Sequence, residues 1–268
     1  MSKYINENSQ ILVLGASSGI GKEISKILVN KYGAKVIGVG RSVEKLEILK
    51  HELKGKFMYL QTDLSVDKAF VNLSTYFTIH SLKIDGVINA CGMLPKFEKF
   101  TFKTDDVRKV FNTNFFSMVN AFSYFTPFIK KSKNPFFINV SSSAALCPFS
   151  NVAAYSASKA AMLNFCESVA NENKDIRILT VLPGFTRTDV MRNQTASEKD
   201  LCKINKMSSS AEKVAKKILK KLDGKKTRLI VGCDARFMNF SYKCFPNCAP
   251  KFIGNYLKKS KMEMFKDI

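Results

Sequence analysis

The chain contains no tryptophan and only two histidines, and its 7 prolines and 13 glycines are scattered through 268 residues. Because no Pro- or Gly-rich stretch interrupts the pattern, no linker is predicted and residues 1–268 are expected to form a single domain. No apolar run approaches the ~20 residues of a membrane-spanning helix. The amino-terminal MSKYINENSQ also lacks the apolar core of a signal peptide. We therefore expect a cytoplasmic protein.

Metal-ligating residues are too few and too far apart for a metal site. The histidines, His51 and His80, stand beside none of the seven scattered cysteines. Cys244 and Cys248 are close to each other, but a zinc site needs further ligands at short spacing. No metal is predicted, and unpaired cysteines of this kind are typical of a reducing compartment.

Positive charge is in excess, with 43 Lys and Arg against 22 Asp and Glu, a formal net charge of +21. Such an excess can indicate nucleic acid or anionic membrane as a partner. The bases are mostly lysines in short clusters such as Lys216-Lys217 and Lys258-Lys259, without an aromatic-interleaved basic strip. We interpret these lysines as solvent-exposed residues of the protein surface and predict no nucleic-acid partner.

Short apolar runs alternate with amphipathic stretches along the chain. Strands that are apolar at every position are typical of parallel sheets covered by helices on both faces. The pattern predicts an α/β fold with a Rossmann-type, doubly wound parallel sheet. The predicted strands are 11–14, 35–39, 57–60, 84–89, 136–140, 176–182 and 228–231; the predicted helices are 20–31, 42–53, 66–78, 104–130, 151–173 and one from residue 210.

A glycine-rich turn, Gly15-Ala16-Ser17-Ser18-Gly19-Ile20-Gly21, lies between the first predicted strand and the first predicted helix. Glycines let the backbone turn tightly and approach a pyrophosphate, and a helix N-terminus offers N–H groups to phosphates. Glycines also serve ordinary turns, so the position between strand and helix carries the argument. It predicts a dinucleotide site.

The end of the second strand bears on the choice of dinucleotide. NAD sites usually place Asp or Glu there, and a carboxylate would repel a 2′-phosphate. Here the strand ends in Gly40-Arg41-Ser42, with no acid before Glu44. The planar guanidinium of Arg41 suits a phosphate, and Ser42 can add a hydrogen bond. NADP(H) is therefore predicted; a solvated loop arginine is the alternative interpretation.

Tyr155 and Lys159 are four residues apart, on one face of a predicted helix. A tyrosine with its ordinary pKa of ~10 is a weak acid near neutrality, and a neighbouring ammonium group would lower that pKa. Ser141, Ser142 and Ser143 end the preceding strand, where a hydroxyl can hold a substrate oxygen. Neighbouring strand residues point to opposite faces, so the pattern alone leaves the choice of serine open.

With these motifs, residues 10–190 resemble the classical short-chain dehydrogenase/reductase family. The resemblance implies a catalytic set of Asn114, Ser142, Tyr155 and Lys159, with Ser143 as the runner-up serine. It also implies cofactor contacts at Gly15, Ser17, Ser18, Gly19, Ile20, Gly21, Arg41, Ser42, Asp63, Leu64, Asn89, Ala90, Gly92, Tyr155, Lys159, Pro183, Gly184, Thr186 and Thr188.

The sequence departs from the family pattern at three places. Leu14 stands where a Thr usually precedes the glycine turn, and Ala90-Cys91 stands for Asn-Ala. Both are interpreted as tolerable packing changes. Ala145 stands where a Gly often follows the serine.

The resemblance implies a mechanism in which Ser142 and Tyr155 hydrogen-bond a carbonyl oxygen while hydride arrives at carbon. Tyr155 then gives up its proton. Lys159 holds the nicotinamide ribose and lowers the pKa of Tyr155, and Asn114 anchors a water that links Lys159 to solvent. The chemistry belongs to the cofactor, and the protein positions and polarises.

Apolar residues in the loops 93–102, 144–152 and 188–207 predict the substrate class, because loops at the strand ends set specificity in this fold. Segment 189–207 is expected to be a mobile substrate lid. Packing within the loops is the alternative role for the aromatic residues. The expected pocket residues are Leu94, Phe97, Leu146, Phe149, Phe185 and Met191, with Ser142 and Tyr155 at the reacting end.

The aromatic and basic tail, 234–268, is predicted as a C-terminal helical extension that Pro246 and Pro250 divide into short helices. We expect it to fold over the pocket or over a subunit interface of a homodimer or homotetramer. Contact with a membrane surface is the alternative, because basic residues with aromatics on one side suit that role.

The predicted function is NADP(H)-dependent interconversion of a ketone and a secondary alcohol, on a bulky hydrophobic substrate such as a hydroxysteroid or bile acid. Reduction of 3-oxoacyl thioesters or small diketones is the enzymatic alternative. An NADP-sensing binding protein is the non-enzymatic one, and it would be indicated by loss of Tyr155 or Lys159, both of which are present.

Overall fold

A computed structural model describes residues 2–100, 103–192, 194 and 197–266. The strands in this part of the chain are β1 (Gln10–Leu14), β2 (Lys35–Gly40), β3 (Phe57–Gln61), β4 (Gly86–Asn89), β5 (Phe136–Val140), β6 (Arg177–Pro183), β7 (Thr186–Arg187), β8 (Ser209–Ser210) and β9 (Arg228–Val231). Seven of them form one sheet in the order β3-β2-β1-β4-β5-β6-β9, while β7 and β8 pair separately.

Helices cover both faces of this sheet. They are α1 (Gly19–Tyr32), α2 (Val43–Leu53), α3 (Asp67–Ile79), α4 (Thr104–Phe111), α5 (Ser117–Ile129), α6 (Ala153–Glu172), α7 (Asp189–Arg192), α8 (Glu198–Met207), α9 (Ala211–Lys221), α10 (Cys233–Cys244) and α11 (Ala249–Lys259). Every neighbouring pair in the seven-stranded sheet is parallel. The predicted α/β fold with a doubly wound parallel sheet is confirmed.

Strand β1 shows why these runs are apolar at every position. Ile11 and Val13 pack into one core cluster with residues of α1, α2 and α9. Leu12 and Leu14 pack into a second cluster with residues of α3, α5 and α6. All four side chains are fully buried. Since successive strand residues face opposite sides and both sides are covered, none of these four positions accommodates a polar residue.

The predicted helix over 104–130 is present as a continuous helical stretch, in which a π-helical segment, Asn112–Phe116, lies between α4 and α5. The segment carries Asn114, whose side chain is fully buried. Its amide bonds to the backbone of Met93, outside the helix. A π-bulge widens one turn and re-aims its side chains, which is frequent at functional sites.

The lid segment 189–207 contains two helices, α7 and α8. Ser197 caps α8 by accepting a hydrogen bond from the backbone nitrogen of Asp200. Ile204 is buried in a third cluster, together with residues of the tail. Residues 193, 195 and 196 of the predicted lid, and 101 and 102 of the loop 93–102, lie outside the described residues.

The tail forms α10, α11 and a 3₁₀ turn, Glu263–Phe265. As predicted, prolines mark the helix boundaries: α10 ends before Pro246, and Pro250 lies in the first turn of α11. Residues 267 and 268 are outside the described part. Among the described helices, none has both the length and the apolar character to cross a bilayer.

Two residues of α8 tie the lid to the tail. The Asp200 carboxylate accepts a hydrogen bond of 2.7 Å from the backbone nitrogen of Glu263. The Lys203 ammonium group donates to the carbonyl oxygen of Ser260 at 2.8 Å. Lid and tail therefore form one connected layer.

Candidate active site

The carboxyl ends of parallel strands meet at one edge of the sheet, and a cleft of about 1070 Å³, partly open to solvent, lies there. The turns after β1, β4, β5 and β6 line it, together with the first turns of α6. Of the predicted site residues, those that line this cleft are Ser18, Gly19, Ile20, Ala90, Gly92, Leu94, Phe97, Ser142, Phe149, Tyr155, Lys159, Pro183, Gly184, Phe185, Thr186, Thr188 and Met191.

The glycines of the turn after β1 are required by close approaches. Gly15 has a φ of +80°, and a Cβ there would lie 2.9 Å from the backbone carbonyl of Ala90. Gly19, with a φ of +53°, faces the methyl group of Thr188. A Cβ on Gly21 would overlap the carbonyl oxygen of Gly15. Side chains are therefore excluded at these three positions of the turn.

The N-terminus of α1 opens onto this turn. Ser18 precedes the helix in an extended conformation, and its side chain makes no capping hydrogen bond. The backbone N–H groups of the first turn are thus left for a ligand. Ser17 packs against Gly40 at the end of β2, where an added Cβ would lie 2.9 Å from its hydroxyl oxygen. This cradle of turn and helix fits a dinucleotide pyrophosphate.

Charged and polar groups follow β2 and β3 at the same edge. Exposed Arg41 directly follows β2, and Ser42 caps α2 by accepting a backbone hydrogen bond of 3.3 Å. The pKa of Asp63 is held below its ordinary value, mainly by hydrogen bonds from Ser65 and to a smaller extent by Arg41. Leu64 is buried in the second core cluster. No carboxylate follows β2 directly, which suits a 2′-phosphate.

The turn after β4 links the dinucleotide cradle to the catalytic helix. The side-chain oxygen of Asn89 accepts a hydrogen bond of 3.1 Å from the backbone nitrogen of Cys91. The Asn89 amide also reaches the Asn139 side chain on β5 at 3.5 Å. A Cβ on Gly92 would lie only 3.2 Å from the Nζ atom of Lys159. This turn therefore fixes the backbone against which Lys159 packs.

Tyr155 and Lys159 lie on one face of α6, as the spacing predicts. The Lys159 side chain is buried, and its Nζ donates a hydrogen bond of 3.2 Å to the carbonyl oxygen of Val140 at the end of β5. The same Nζ lies 5.9 Å from the centre of the Tyr155 ring. A cation is thus held beside the phenol by the sheet edge.

Burial governs the protonation of both groups. It lowers the pKa of Lys159 to about 8, because an ammonium group inside the protein is poorly solvated. It also raises the pKa of Tyr155 above the ordinary value, and a hydrogen bond with Ser142 offsets part of this rise. The expected lowering of the Tyr155 pKa by Lys159 is therefore wrong, since desolvation of the phenolate dominates.

The three serines after β5 have different environments. Ser141 is buried and donates to the carbonyl oxygen of Lys159 at 2.9 Å, which ties the strand end to α6. Ser143 is also buried, and it lines the cleft, as does Ser141. Ser142 lines the cleft and hydrogen-bonds Tyr155, while its oxygen accepts from the backbone nitrogen of Ala144 at 3.2 Å. Ser142 and Tyr155 thus form one hydroxyl pair that faces the cleft.

Asn114 fixes a loop of the site through its side chain. Its Oδ1 accepts a hydrogen bond of 2.8 Å from the backbone nitrogen of Met93, and its Nδ2 donates to the Met93 oxygen at 3.1 Å. Nδ2 also donates to the Ser158 hydroxyl at 3.0 Å. These hydrogen bonds use both donors of the Asn114 amide and join the loop after β4 to α6.

A carboxylate on α10 holds the backbone of the segment that follows β6. The Asp234 carboxylate accepts a hydrogen bond of 2.6 Å from the backbone nitrogen of Phe185. It lies so close to Gly184 that a Cβ there would overlap it. Thr186 adds a hydrogen bond of 3.0 Å to the Gly184 oxygen. These contacts fix the backbone of the segment after β6, which lines the cleft.

Aromatic residues form one wall of the cleft that also contains Ser142 and Tyr155. Phe149 contacts Phe185 with ring centres 6.3 Å apart. Phe265, from the 3₁₀ turn of the tail, contacts both Phe97 at 5.3 Å and Phe185 at 6.1 Å. The prediction that Leu146 lines the pocket is wrong: the 3₁₀ turn Ser143–Ala145 places it in a separate cluster with Leu163 and Leu182.

The sequence prediction missed further residues of the site, among them Asp234, Phe265 and Cys91. Asp234 carried a usable signal, since it lies just beyond β9, at the carboxyl edge of the sheet. Phe265 gave none, because its contacts with the aromatic wall depend on the path of the tail. Cys91 lines the cleft, but burial raises the pKa of its thiol to about 11, which keeps it protonated near neutrality.

A parallel sheet with a dinucleotide cradle after its first strand and a Ser–Tyr–Lys cluster after its fifth defines a class, the oxidoreductases that use a nicotinamide dinucleotide. The comparison with family models agrees. The model described as short chain dehydrogenase matches residues 9–199. The chain belongs to the short chain dehydrogenase family.

Three similar proteins are between 20% and 33% identical to this chain over the matched residues. An uncharacterized oxidoreductase of Saccharomyces cerevisiae is 33% identical over 185 residues, which cover 68% of this chain and 72% of that protein. The 11-beta-hydroxysteroid dehydrogenase-like 2 protein of Arabidopsis thaliana is 33% identical over 194 residues, 69% of this chain and 61% of that protein. A short chain dehydrogenase from Burkholderia cenocepacia, solved in complex with NADP, shares the fold with a TM-score of 0.77 at 20% identity, over 93% of this chain and 99% of that one.

Proposed function

We propose that this protein interconverts a ketone and a secondary alcohol with NADP(H), on a bulky hydrophobic substrate such as a hydroxysteroid or bile acid. The observation that carries the proposal is the hydrogen-bonded pair of Ser142 and Tyr155 in a cleft with an aromatic wall. Similarity to the hydroxysteroid dehydrogenase-like protein of Arabidopsis supports the substrate class. The proposal includes a cytoplasmic homodimer or homotetramer.

Ser142, Tyr155 and Lys159 have different roles at the reacting carbonyl group. Ser142 and Tyr155 hydrogen-bond the substrate oxygen, and Tyr155 donates its proton as negative charge develops there. The raised pKa of Tyr155 keeps the phenol protonated near neutral pH, which suits a proton donor. Lys159, with a pKa of about 8, can gain and lose a proton near neutral pH and so resupply Tyr155.

The same edge of the sheet has groups for each part of NADP(H), which supplies the hydride when bound. The glycine turn and the N-terminus of α1 would hold the pyrophosphate. Arg41 would bind the 2′-phosphate, and Lys159 the nicotinamide ribose. The segment after β6 would flank the nicotinamide, kept in place by Asp234 through the nitrogen of Phe185.

The lining of the cleft favours an apolar substrate. Lys159 is the sole charged side chain among the described residues that line it. A charged substrate such as a sugar phosphate would lose hydration and find only Lys159 as a charged partner, which the proposal assigns to the nicotinamide ribose. An apolar ring system gains about 25 cal/mol for each Å² of surface that it removes from water. Leu94, Phe149 and Met191 offer that surface.

An assay of NADPH oxidation over a substrate panel tests the proposal. The panel contains steroid and bile-acid ketones, 3-oxoacyl thioesters and small diketones, each measured with NADPH and with NADH. We expect the highest kcat/KM for a steroid or bile-acid ketone. Higher values for thioesters or diketones would move the assignment to the alternative class. NADPH binding without turnover of any compound would favour an NADP-sensing protein.

Replacing Arg41 tests the cofactor assignment separately. In Arg41→Asp the guanidinium partner of the 2′-phosphate is lost and a repelling carboxylate takes its place. We expect KM for NADPH to rise roughly 100-fold, because charge-assisted hydrogen bonds contribute about 1.5–3 kcal/mol each, while KM for NADH changes little. Arg108→Asp, an exposed arginine on α4, is the control and should leave both values unchanged. Equal changes for the two cofactors in Arg41→Asp would contradict the assignment.

A further inference from the structure

The two helices of the tail expose an aromatic surface. Five aromatic side chains of α10, α11 and the turn between them are between 52% and 65% exposed. The rings of Phe237 on α10 and Phe252 on α11 contact each other with centres 6.5 Å apart, so the two helices share one outward surface. We call this surface the aromatic face; its members are Phe237, Phe240, Phe245, Phe252 and Tyr256.

The opposite side of the same helices is firmly packed. Met238 on α10 and Ile253 and Leu257 on α11 are buried in the third core cluster. That cluster includes Met191 and Ile204 of the lid, and Phe149 and Phe185 pack against it. One side of these helices therefore packs against residues that line the cleft. The aromatic face is the other side of these helices, which is exposed to solvent.

Bases surround the aromatic face and have no acidic neighbours on it. Between residues 233 and 261 the sole carboxylate is Asp234, which is turned inward to the backbone nitrogen of Phe185. In the described part of the chain, no ion pair is formed by the bases of these helices. The exposed bases are Arg236, Lys243, Lys251, Lys258 and Lys259.

We propose that the aromatic face binds the surface of an anionic phospholipid bilayer. Aromatic rings between lysines match the interface of a bilayer, where rings enter the headgroup region and ammonium groups meet lipid phosphates and carboxylates. The helices lie in the plane of the surface, because their inner sides stay packed on the protein. The anionic headgroup supplies the charge complement that the face lacks.

The charge pattern argues against a second copy of the chain as the occupant. A two-fold symmetric dimer places the same patch against itself. Here that would bring two sets of unpaired bases together with a single inward-turned acid in each, and like charges across an interface are repulsive. A bilayer with negative headgroups removes this repulsion and accepts the same rings.

Vesicle flotation of the full chain tests the proposal. We expect the protein to float with phosphatidylcholine vesicles that contain phosphatidylserine, and to stay at the bottom with phosphatidylcholine alone. The double variant Phe240→Ser/Phe252→Ser should reduce the bound fraction about tenfold or more, because two inserted rings are lost. The matched control, Ile48→Ser/Ile79→Ser, removes two exposed apolar side chains elsewhere and should bind like the wild type.

Charge is tested with a second pair of variants. Lys251→Glu/Lys258→Glu/Lys259→Glu should abolish flotation, while Lys213→Glu/Lys217→Glu/Lys220→Glu on α9 changes net charge equally and should not. Melting temperatures establish that all variants are folded. Equal losses in the two triple variants, or wild-type binding by the serine variant of the aromatic face, would overturn the proposal. So would absence of vesicle binding together with a dimer that light scattering shows to dissociate in Phe240→Ser/Phe252→Ser.

Discussion

Tyr155→Phe is expected to lower kcat about a thousandfold or more while NADPH still binds. The substitution removes the hydroxyl that donates a proton to the substrate oxygen, and general acid catalysis contributes about 10²–10⁴ in rate. It also breaks the hydrogen bond with Ser142, so the substrate oxygen loses its oriented partner. The ring remains, and the glycine turn and Arg41 are untouched, so the dissociation constant for NADPH should change less than about threefold.

Two measurements separate these effects: single-turnover rates report the chemical step, and fluorescence titration reports NADPH binding. Tyr76→Phe, on α3 and away from the cleft, is the control for the loss of a phenol hydroxyl. Turnover of Tyr155→Phe within tenfold of the wild type would remove Tyr155 from the proton-transfer role. Loss of NADPH binding in parallel with kcat would assign it to cofactor binding instead.

Lys159→Met should also abolish turnover, yet raise the stability of the protein at neutral pH. Burial lowers the pKa of Lys159 from 10.5 to about 8 in the folded chain. Each pKa unit corresponds to ~1.4 kcal/mol, so the buried ammonium group costs on the order of 3 kcal/mol at pH 7. Methionine avoids this cost but leaves the Val140 carbonyl without its hydrogen bond, a loss of about 1 kcal/mol.

The sign follows from proton binding. Between pH 8 and 10.5 the unfolded chain keeps a proton on Lys159 that the folded chain has released. The free energy of unfolding of the wild type therefore rises with pH across this range, relative to Lys159→Met. We expect the variant to melt about 5 °C above the wild type at pH 7, and the difference to shrink as pH approaches 10.5.

Thermal unfolding of both proteins at several pH values measures this. Lys213→Met, at an exposed site on α9, is the matched control and should melt like the wild type at every pH. A lower melting temperature for Lys159→Met at pH 7 would mean that the ammonium group stabilises the fold. A difference that does not depend on pH would mean that its titration is not responsible.

The sheet and the dinucleotide cradle were predictable because they depend on local patterns. The residues of β1 alternate between the two core clusters, and a run of apolar residues is enough to predict such a strand. The glycine turn between β1 and α1 is enough to predict the dinucleotide cradle around Gly15. The π segment around Asn114 was not predictable, since it is stabilised by the backbone of Met93 from another loop. The direction of the Tyr155 pKa was mispredicted for the same reason: burial depends on the whole fold.

The pocket was predicted only in part. Leu94, Phe149 and Met191 lie where the loop positions indicate. Leu146 does not, because the tight 3₁₀ turn after β5 rotates it toward Leu163. Phe265 joins the aromatic wall from the far end of the chain, and no periodicity relates it to Phe97.

The hydrogen bonds that join Asp200 and Lys203 to the tail couple segment 189–207 to the tail in local unfolding. Displacement of α8 would break the hydrogen bond between Asp200 and Glu263, which lies in the same 3₁₀ turn as Phe265. Whatever immobilises α10 and α11 from outside therefore changes the free energy of opening. If the tail attaches to a bilayer as proposed, thermodynamic linkage requires the reverse: a substrate that disfavours this opening must tighten the attachment by the same factor.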